Sequence, residues 1–151
     1  MKRKLGIDIH GVIDHDHSFF ADLTSTLVEA GWEIHIMTGH LISDELKTQL
    51  SDLGIKYTHL FSIANFFIDK GADVRYDEKG RPWMETELWE TGKGEYAREQ
   101  NLDLVLDDTQ SYNKHFSTSF AFCSIINKSG KQHREKAKMP DEFNIFNLLK
   151  N

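Results

Sequence analysis

Two spacings of apolar residues alternate along the chain, and the alternation predicts its elements. Leu5, Ile7 and Ile9, with Gly6 the only interior gap, suit a short strand buried on both faces. Ser18 stands where it can cap a helix in which Phe20, Leu23, Leu27 and Ala30 share a face, and Gly31 ends it. A second strand, Glu33-Ile34-His35-Ile36-Met37, delivers Thr38-Gly39-His40. Ser43 caps a second helix with Leu46, Leu50 and Leu53 on one side and Gly54 as its stop. A third strand is expected over about residues 57–63, and a helix over 93–100 that Asn101 ends. The run Leu102-Asp103-Leu104-Val105-Leu106 then delivers Asp107-Asp108. A short helix over 111–116 leads to a fifth strand over 119–126, and residues 140–149 predict a closing helix with Phe143, Phe146 and Leu149 inward.

Strands that alternate with helices imply a parallel sheet covered on both faces. The expected fold is therefore α/β, a doubly wound, Rossmann-like sheet of about five strands in one domain over residues 1–151, with no true internal repeat. Two regions depart from the pattern. Residues 64–90 hold a short helical stretch, Asn65-Phe66-Phe67-Ile68, and a turn signal, Asp77-Glu78-Lys79-Gly80-Arg81-Pro82. Phe66, Phe67, Trp83 and Trp89 make this region too apolar for a disordered linker, so it is expected to pack as a small insertion near the site. The segment 128–138 carries Lys128, Lys131, His133, Arg134, Lys136 and Lys138. It reads as a solvated loop or as a contact for a phosphate-rich partner.

A length of 151 residues suits one domain with a sizeable core, and 39% hydrophobic with 28% charged residues describes an ordinary soluble protein. The formal charge of −6 argues against nonspecific nucleic-acid binding by the surface as a whole. The single cysteine, Cys123, cannot form an internal disulfide, which makes a reducing compartment the default, and its apolar neighbours suggest a buried core thiol. The basic start Met1-Lys2-Arg3-Lys4 precedes an apolar run too short, and too soon broken by Asp8, for a secretory leader. No apolar stretch approaches the ~20 residues that span a bilayer. The expectation is a cytoplasmic protein with no membrane partner.

Three strand ends carry chemistry: Asp8 after the first, Thr38 after the second, and Asp107-Asp108 after the fourth. In a doubly wound sheet they emerge on one edge, where such folds keep their ligands. Lys93, placed at the start of the helix before the fourth strand, could reach that edge. Singly, each has an ordinary explanation: a helix-capping Asp, a turn-capping Thr, a solvated Lys. Together they make a coherent phosphoryl site. A carboxylate attacking phosphorus approaches a dianion, so charge has to be neutralised. Mg²⁺ held by Asp8 and Asp107 would do this, with Lys93 adding positive charge at the phosphoryl oxygens. The Thr38 hydroxyl and the backbone N–H groups after Asp8 would hydrogen-bond those oxygens, and an aspartyl-phosphate would split hydrolysis into two easier displacements.

The order Asp8-Ile9-His10-Gly11-Val12-Ile13, Ile36-Met37-Thr38-Gly39, Lys93, and Leu104-Val105-Leu106-Asp107-Asp108 resembles the haloacid dehalogenase superfamily of phosphatases. The resemblance spans about residues 4–126 and touches all four of that superfamily's motifs; the first and last are the more specific. It implies Asp8 as nucleophile, Thr38 as phosphate ligand, Lys93 as the charge-neutralising lysine, and Asp107, with Asp108, as Mg²⁺ ligand. It also implies the backbone carbonyl of His10 as a metal ligand. The departure is His10 itself. The superfamily's phosphatases usually carry there a second aspartate that protonates the leaving group and later activates water. An imidazole, with an ordinary pKa of ~6.5, can do acid–base work, but a cationic ring beside Mg²⁺ would be disfavoured. Only Val12 to His17 separate the first strand from its helix, too little for a cap domain, and residues 64–90 form at most a small one.

Two nearby patterns carry less weight. Asp14-His15-Asp16-His17 offers metal-ligand residue types, but alternation on a short loop seldom lets all four converge, so it is read mainly as a polar flap over the pocket, with a transition-metal site as the minor reading. Gly92-Lys93-Gly94 lacks the spacing and Ser/Thr of a P-loop. The leading reading is a Mg²⁺-dependent phosphomonoester hydrolase acting on a phosphorylated small molecule, a nucleotide or a nucleic-acid end. The alternative is a slow or inactive phosphate-binding or regulatory module. A receiver domain fits less well, because its acidic pair follows the first strand and its lysine the last. Substrate and oligomeric state stay open.

Overall fold

The first apolar run forms β1 (Lys4–Asp8) in the computed structural model, which describes residues 1–125. The end of the fifth predicted strand at 126, the basic segment 128–138 and the closing helix 140–149 lie outside the described residues. After β1 a 3-10 turn (Ile13–His15) leads into α1 (His17–Glu29), β2 (Glu33–Thr38), α2 (Asp44–Asp52), β3 (His59–Ser62) and α3 (Ile63–Asp69). A small antiparallel hairpin, β4 (Arg75–Tyr76) with β5 (Pro82–Trp83), precedes α4 (Thr86–Gln100). Then follow β6 (Leu104–Asp107), a second 3-10 turn (Gln110–His115) and β7 (Phe120–Phe122).

The main sheet has the order β3-β2-β1-β6-β7, with every pairing parallel, and helices flank it: the Rossmann-like α/β arrangement expected. The chain builds outward from β1 to β3, then returns to the other side of β1. That reversal leaves a crevice at the C-terminal ends of β1 and β6.

The period of two along each strand decides what faces each helical layer. Leu5, Ile7, Ile34 and Ile36 pack with Phe20 of α1 and Leu50 of α2, whereas Met37 and Val105 pack with Ile63 and Phe67 of α3 and Ala97 of α4. Burying each large apolar side chain contributes about 1.5–3 kcal/mol. By alternation Asp8, His35 and Asp107 lie on the α4 side. Gly6 shares that side because a Cβ there would come within 2.7 Å of Met37 Sδ and 2.9 Å of Val105 Cγ2. His35 is fully buried; burial, and then the neighbouring His59, push its imidazole down to about 4, so the ring is neutral at pH 7.

Several expectations need correction. Asp16, not Ser18, caps α1, its carboxylate accepting from the Phe19 N–H at 3.3 Å, and the Ser18 hydroxyl donates to Asp16. Ala30 and Leu53 are exposed, because each is the residue just past its helix. The third strand is shorter than predicted, because Ser62 already caps α3 by accepting from the Asn65 N–H at 3.1 Å. Cys123 is half-buried, packed against the α1–α2 core. The largest change concerns Lys93. It sits in the middle of α4 rather than at a helix start, because the helix begins seven residues earlier, at Thr86. Among the described residues no helix is long and apolar enough to cross a membrane.

Gly92 and Gly94 look like helix breakers, yet they bracket Lys93 inside the helix for a packing reason. A Cβ on Gly92 would lie 2.9 Å from Ile63 Cγ2 and 3.0 Å from Phe67 Cε2, and one on Gly94 would overlap the His115 carbonyl oxygen. Two bare positions thus let α4 approach α3 and the second 3-10 turn closely. At an exposed helix position Gly→Ala would stabilise by about 0.5–1 kcal/mol. Gly94→Ala is expected to do the reverse, destabilising by about 1–3 kcal/mol in urea denaturation; a gain in stability would show that the close approach is not required.

Candidate active site

Asp8 ends β1, Asp107 ends β6, and Lys93 reaches between them from α4. Lys93 Nζ donates to Asp8 Oδ1 at 2.7 Å and to Asp107 Oδ2 at 2.5 Å. All three side chains are buried, at 3% exposure for Lys93, 7% for Asp8 and 0% for Asp107. Asp107 Oδ1 accepts the Thr109 N–H at 2.7 Å, which fixes the carboxylate plane. Asp108 completes a group of three buried carboxylates, with one oxygen from each inside a 4.8 Å span. Its carboxylate occupies the space a Cβ on residue 11 would need, and Gly11 adopts φ 92°, so glycine is required there on both counts.

Among the described residues, three carboxylates gather around the Lys93 ammonium. Burial pushes the Asp8 carboxyl well above the usual carboxylate range; Lys93 pulls it back and Asp107 pushes it further up. Burial alone would lower Lys93, but Asp107 and then Asp8 hold it above its ordinary value, so it is an ammonium at neutral pH. The donor set is all oxygen, which fits a hard divalent cation. Asp8, Asp107 and Asp108 are the residues that could hold one.

The remaining predicted residues are near but differently engaged. Thr38 follows Met37, the register partner of Asp8, yet it is fully buried, its hydroxyl accepts the His40 N–H at 3.1 Å, and it does not line the pocket. His10 does line it, half-buried, its ring stacked on His40 with centroids 4.5 Å apart. Residues 14–17 form no flap over the pocket. Asp14 accepts the Gly11 N–H at 2.7 Å and Asp16 caps α1, so the acidic positions brace the loop itself.

The crevice opens into a cavity of about 550 Å³. Arg81, Pro82, Trp83, Met84 and Thr86, from the β4–β5 hairpin and the start of α4, supply one wall. Trp89 and Tyr112 form another, the indole Nε1 donating to the tyrosine oxygen at 3.1 Å. Tyr112 also lies under Lys93, with Nζ 5.4 Å from its ring centroid, a cation–π distance. Tyr112 and His40 were not among the predicted site residues. Their only signal was position, since each lies a few residues beyond a strand end that carries chemistry.

Comparison with family models, with curated proteins and with solved structures finds no match for the chain.

Replacing one partner of a buried ion pair leaves the other charge uncompensated, at a cost of about 3–5 kcal/mol. Lys93→Met should lose stability on that scale in urea denaturation with EDTA present. A loss under about 1 kcal/mol would mean that the lysine behaves like a surface pair.

Proposed function

We propose that the protein is a phosphomonoester hydrolase of the haloacid dehalogenase type, dependent on Mg²⁺ and working through an aspartyl-phosphate on Asp8. The observation that carries this reading is the Lys93 ammonium bridging Asp8 and Asp107 at 2.7 and 2.5 Å, at the point where the sheet reverses its order. Nucleophile, charge-neutralising lysine and acidic metal ligands are the parts such chemistry needs, and they meet across 85 and 14 residues of chain. Mg²⁺ on Asp8, Asp107 and Asp108 would supply charge neutralisation and orient the phosphoryl oxygens.

In the first displacement an Asp8 oxygen forms a bond to phosphorus while the ester P–O bond breaks. His10, at the pocket wall, donates a proton to the departing oxygen. In the second, water attacks phosphorus, His10 takes its proton, and the P–O bond to Asp8 breaks to release phosphate. Lys93 balances charge throughout. The cavity volume and its wall of Trp83, Trp89 and Tyr112 beside Arg81 suit a small phosphomonoester with a planar or apolar body, a nucleotide among them. The stack of His10 on His40 favours one second reading, a phosphate-binding module in which that imidazole is structural.

Hydrolysis of p-nitrophenyl phosphate and a panel of nucleoside monophosphates decides between them. Asp8→Asn should lower kcat by about 10³-fold or more while the protein stays folded; activity unchanged by that substitution removes the nucleophile. His10→Asp should retain or raise the rate, and a complete loss would give the imidazole another task. In thermal melts Mg²⁺ at 100 times its Kd should stabilise the wild type by about 2.7 kcal/mol and leave Asp107→Asn unmoved.

A further inference from the structure

We propose that Glu33, His35 and His59 form a second metal site, for a transition metal of the Zn²⁺ class, at the opposite edge of the sheet from Asp8. Glu33 and His35 are two apart on β2 and so share a face, and His35 is the register partner of His59 on β3. Strand geometry alone therefore gathers a carboxylate and two imidazoles. One donor atom from each lies inside a 4.8 Å span.

The hydrogen bonds leave the right nitrogens available. His35 Nδ1 is 2.8 Å from the Tyr96 hydroxyl, while its fully buried Nε2 has no hydrogen-bond partner. Nε2 faces Glu33 Oε2 at 3.6 Å, too long for a direct hydrogen bond, and in the tautomer that donates from Nδ1 to the Tyr96 oxygen it turns a lone pair toward that carboxylate, the arrangement an ion between them would select. On His59, Nδ1 is 2.9 Å from Thr58 Oγ1, whose own proton satisfies the Ile34 carbonyl at 3.1 Å. The arrangement that satisfies every group has His59 donating from Nδ1, which leaves its Nε2 as a ligand. Each imidazole thus has an outer oxygen partner on Nδ1, and with both rings donating there each Nε2 keeps its lone pair, the usual state of a metal-bound histidine. Two imidazoles and one carboxylate suit Zn²⁺ with a fourth position open.

Two features set the limits of affinity. Lys4 Nζ lies 3.3 Å from Glu33 Oε2 and shares that carboxylate with any ion. The His35 and His59 rings stack at 4.2 Å and within 4° of parallel, so the exposed His59 has to swing for both lone pairs to meet one ion.

The site does not depend on the phosphatase reading, and Co²⁺ tests it. Tag-free full-length protein, stripped with EDTA and dialysed, is titrated with Co²⁺ in saturating Mg²⁺ while visible d–d absorption is followed. One equivalent should bind with a four-coordinate band that Zn²⁺ displaces. His59→Ala and Glu33→Gln should each weaken binding by more than the ~10–100-fold typical of losing an outer partner, with melting temperatures in EDTA close to wild type. Absence of the band, its suppression by Mg²⁺, or its survival in His59→Ala would each overturn the proposal, the last by assigning the ion to other histidines.

Discussion

The ammonium of Lys93, held between the carboxylates of Asp8 and Asp107, is the interaction on which the upper edge of the sheet depends. Taking charges out of water costs several kcal/mol per ion, and mutual attraction offsets that only when the remaining polar atoms are also satisfied. Here Nζ donates to both acids, and the second oxygen of Asp107 takes the Thr109 N–H. The arrangement ties β1, β6, α4 and the loop after β6 to one point. Asp108 adds a third buried carboxylate to the group. Under the proposed phosphatase reading, a divalent cation would balance these acids as a phosphate ester approaches.

Helix α4 is what sets Lys93 in place, and it does so by lying along the sheet from one edge to the other. Lys93 meets the C-terminal edge, the Tyr96 hydroxyl meets His35 in the middle, and the Gln100 carbonyl accepts from Lys4 at 3.0 Å near the other edge. The lengths agree. Seven helical residues rise about 10 Å, against about 13 Å for the four steps from Lys4 to Asp8 in a strand, and the two lysine side chains make up the difference. The close approach that allows these contacts rests on Gly92 and Gly94, whose missing side chains are replaced by Ile63, Phe67 and the His115 carbonyl.

Strand positions are legible because their apolar runs are short and, after each helix, preceded by a stop such as Gly31, Gly54 or Asn101, and the acids at strand ends follow from them. Lys93 was found for a partly mistaken reason. Residue-by-residue propensity counts Gly92 and Gly94 against a helix, whereas tertiary packing overrides that cost and carries the helix back to Thr86. The Asp14–His17 loop shows the opposite failure. Its polarity suggested a flap, but a short carboxylate next to free backbone N–H groups bonds locally first, as Asp14 does with Gly11 and Asp16 with Phe19. Tyr112 and the Glu33–His35–His59 group depend on which residues face each other across elements, and no spacing along one segment encodes that.

The two polar clusters on the α4 side differ in a way that would separate their ligands. The upper one offers oxygen alone, around a lysine that the acids hold charged, and so selects by charge and hardness. The lower one offers one carboxylate already shared with Lys4 and two imidazoles, of which His35 is kept neutral by burial, and so selects by preference for nitrogen. Met37, Phe61, Ala97 and Val105 belong to the apolar cluster on this side of the sheet. If both are filled, the sheet carries two chemically distinct sites on one face, each contacted by the same helix.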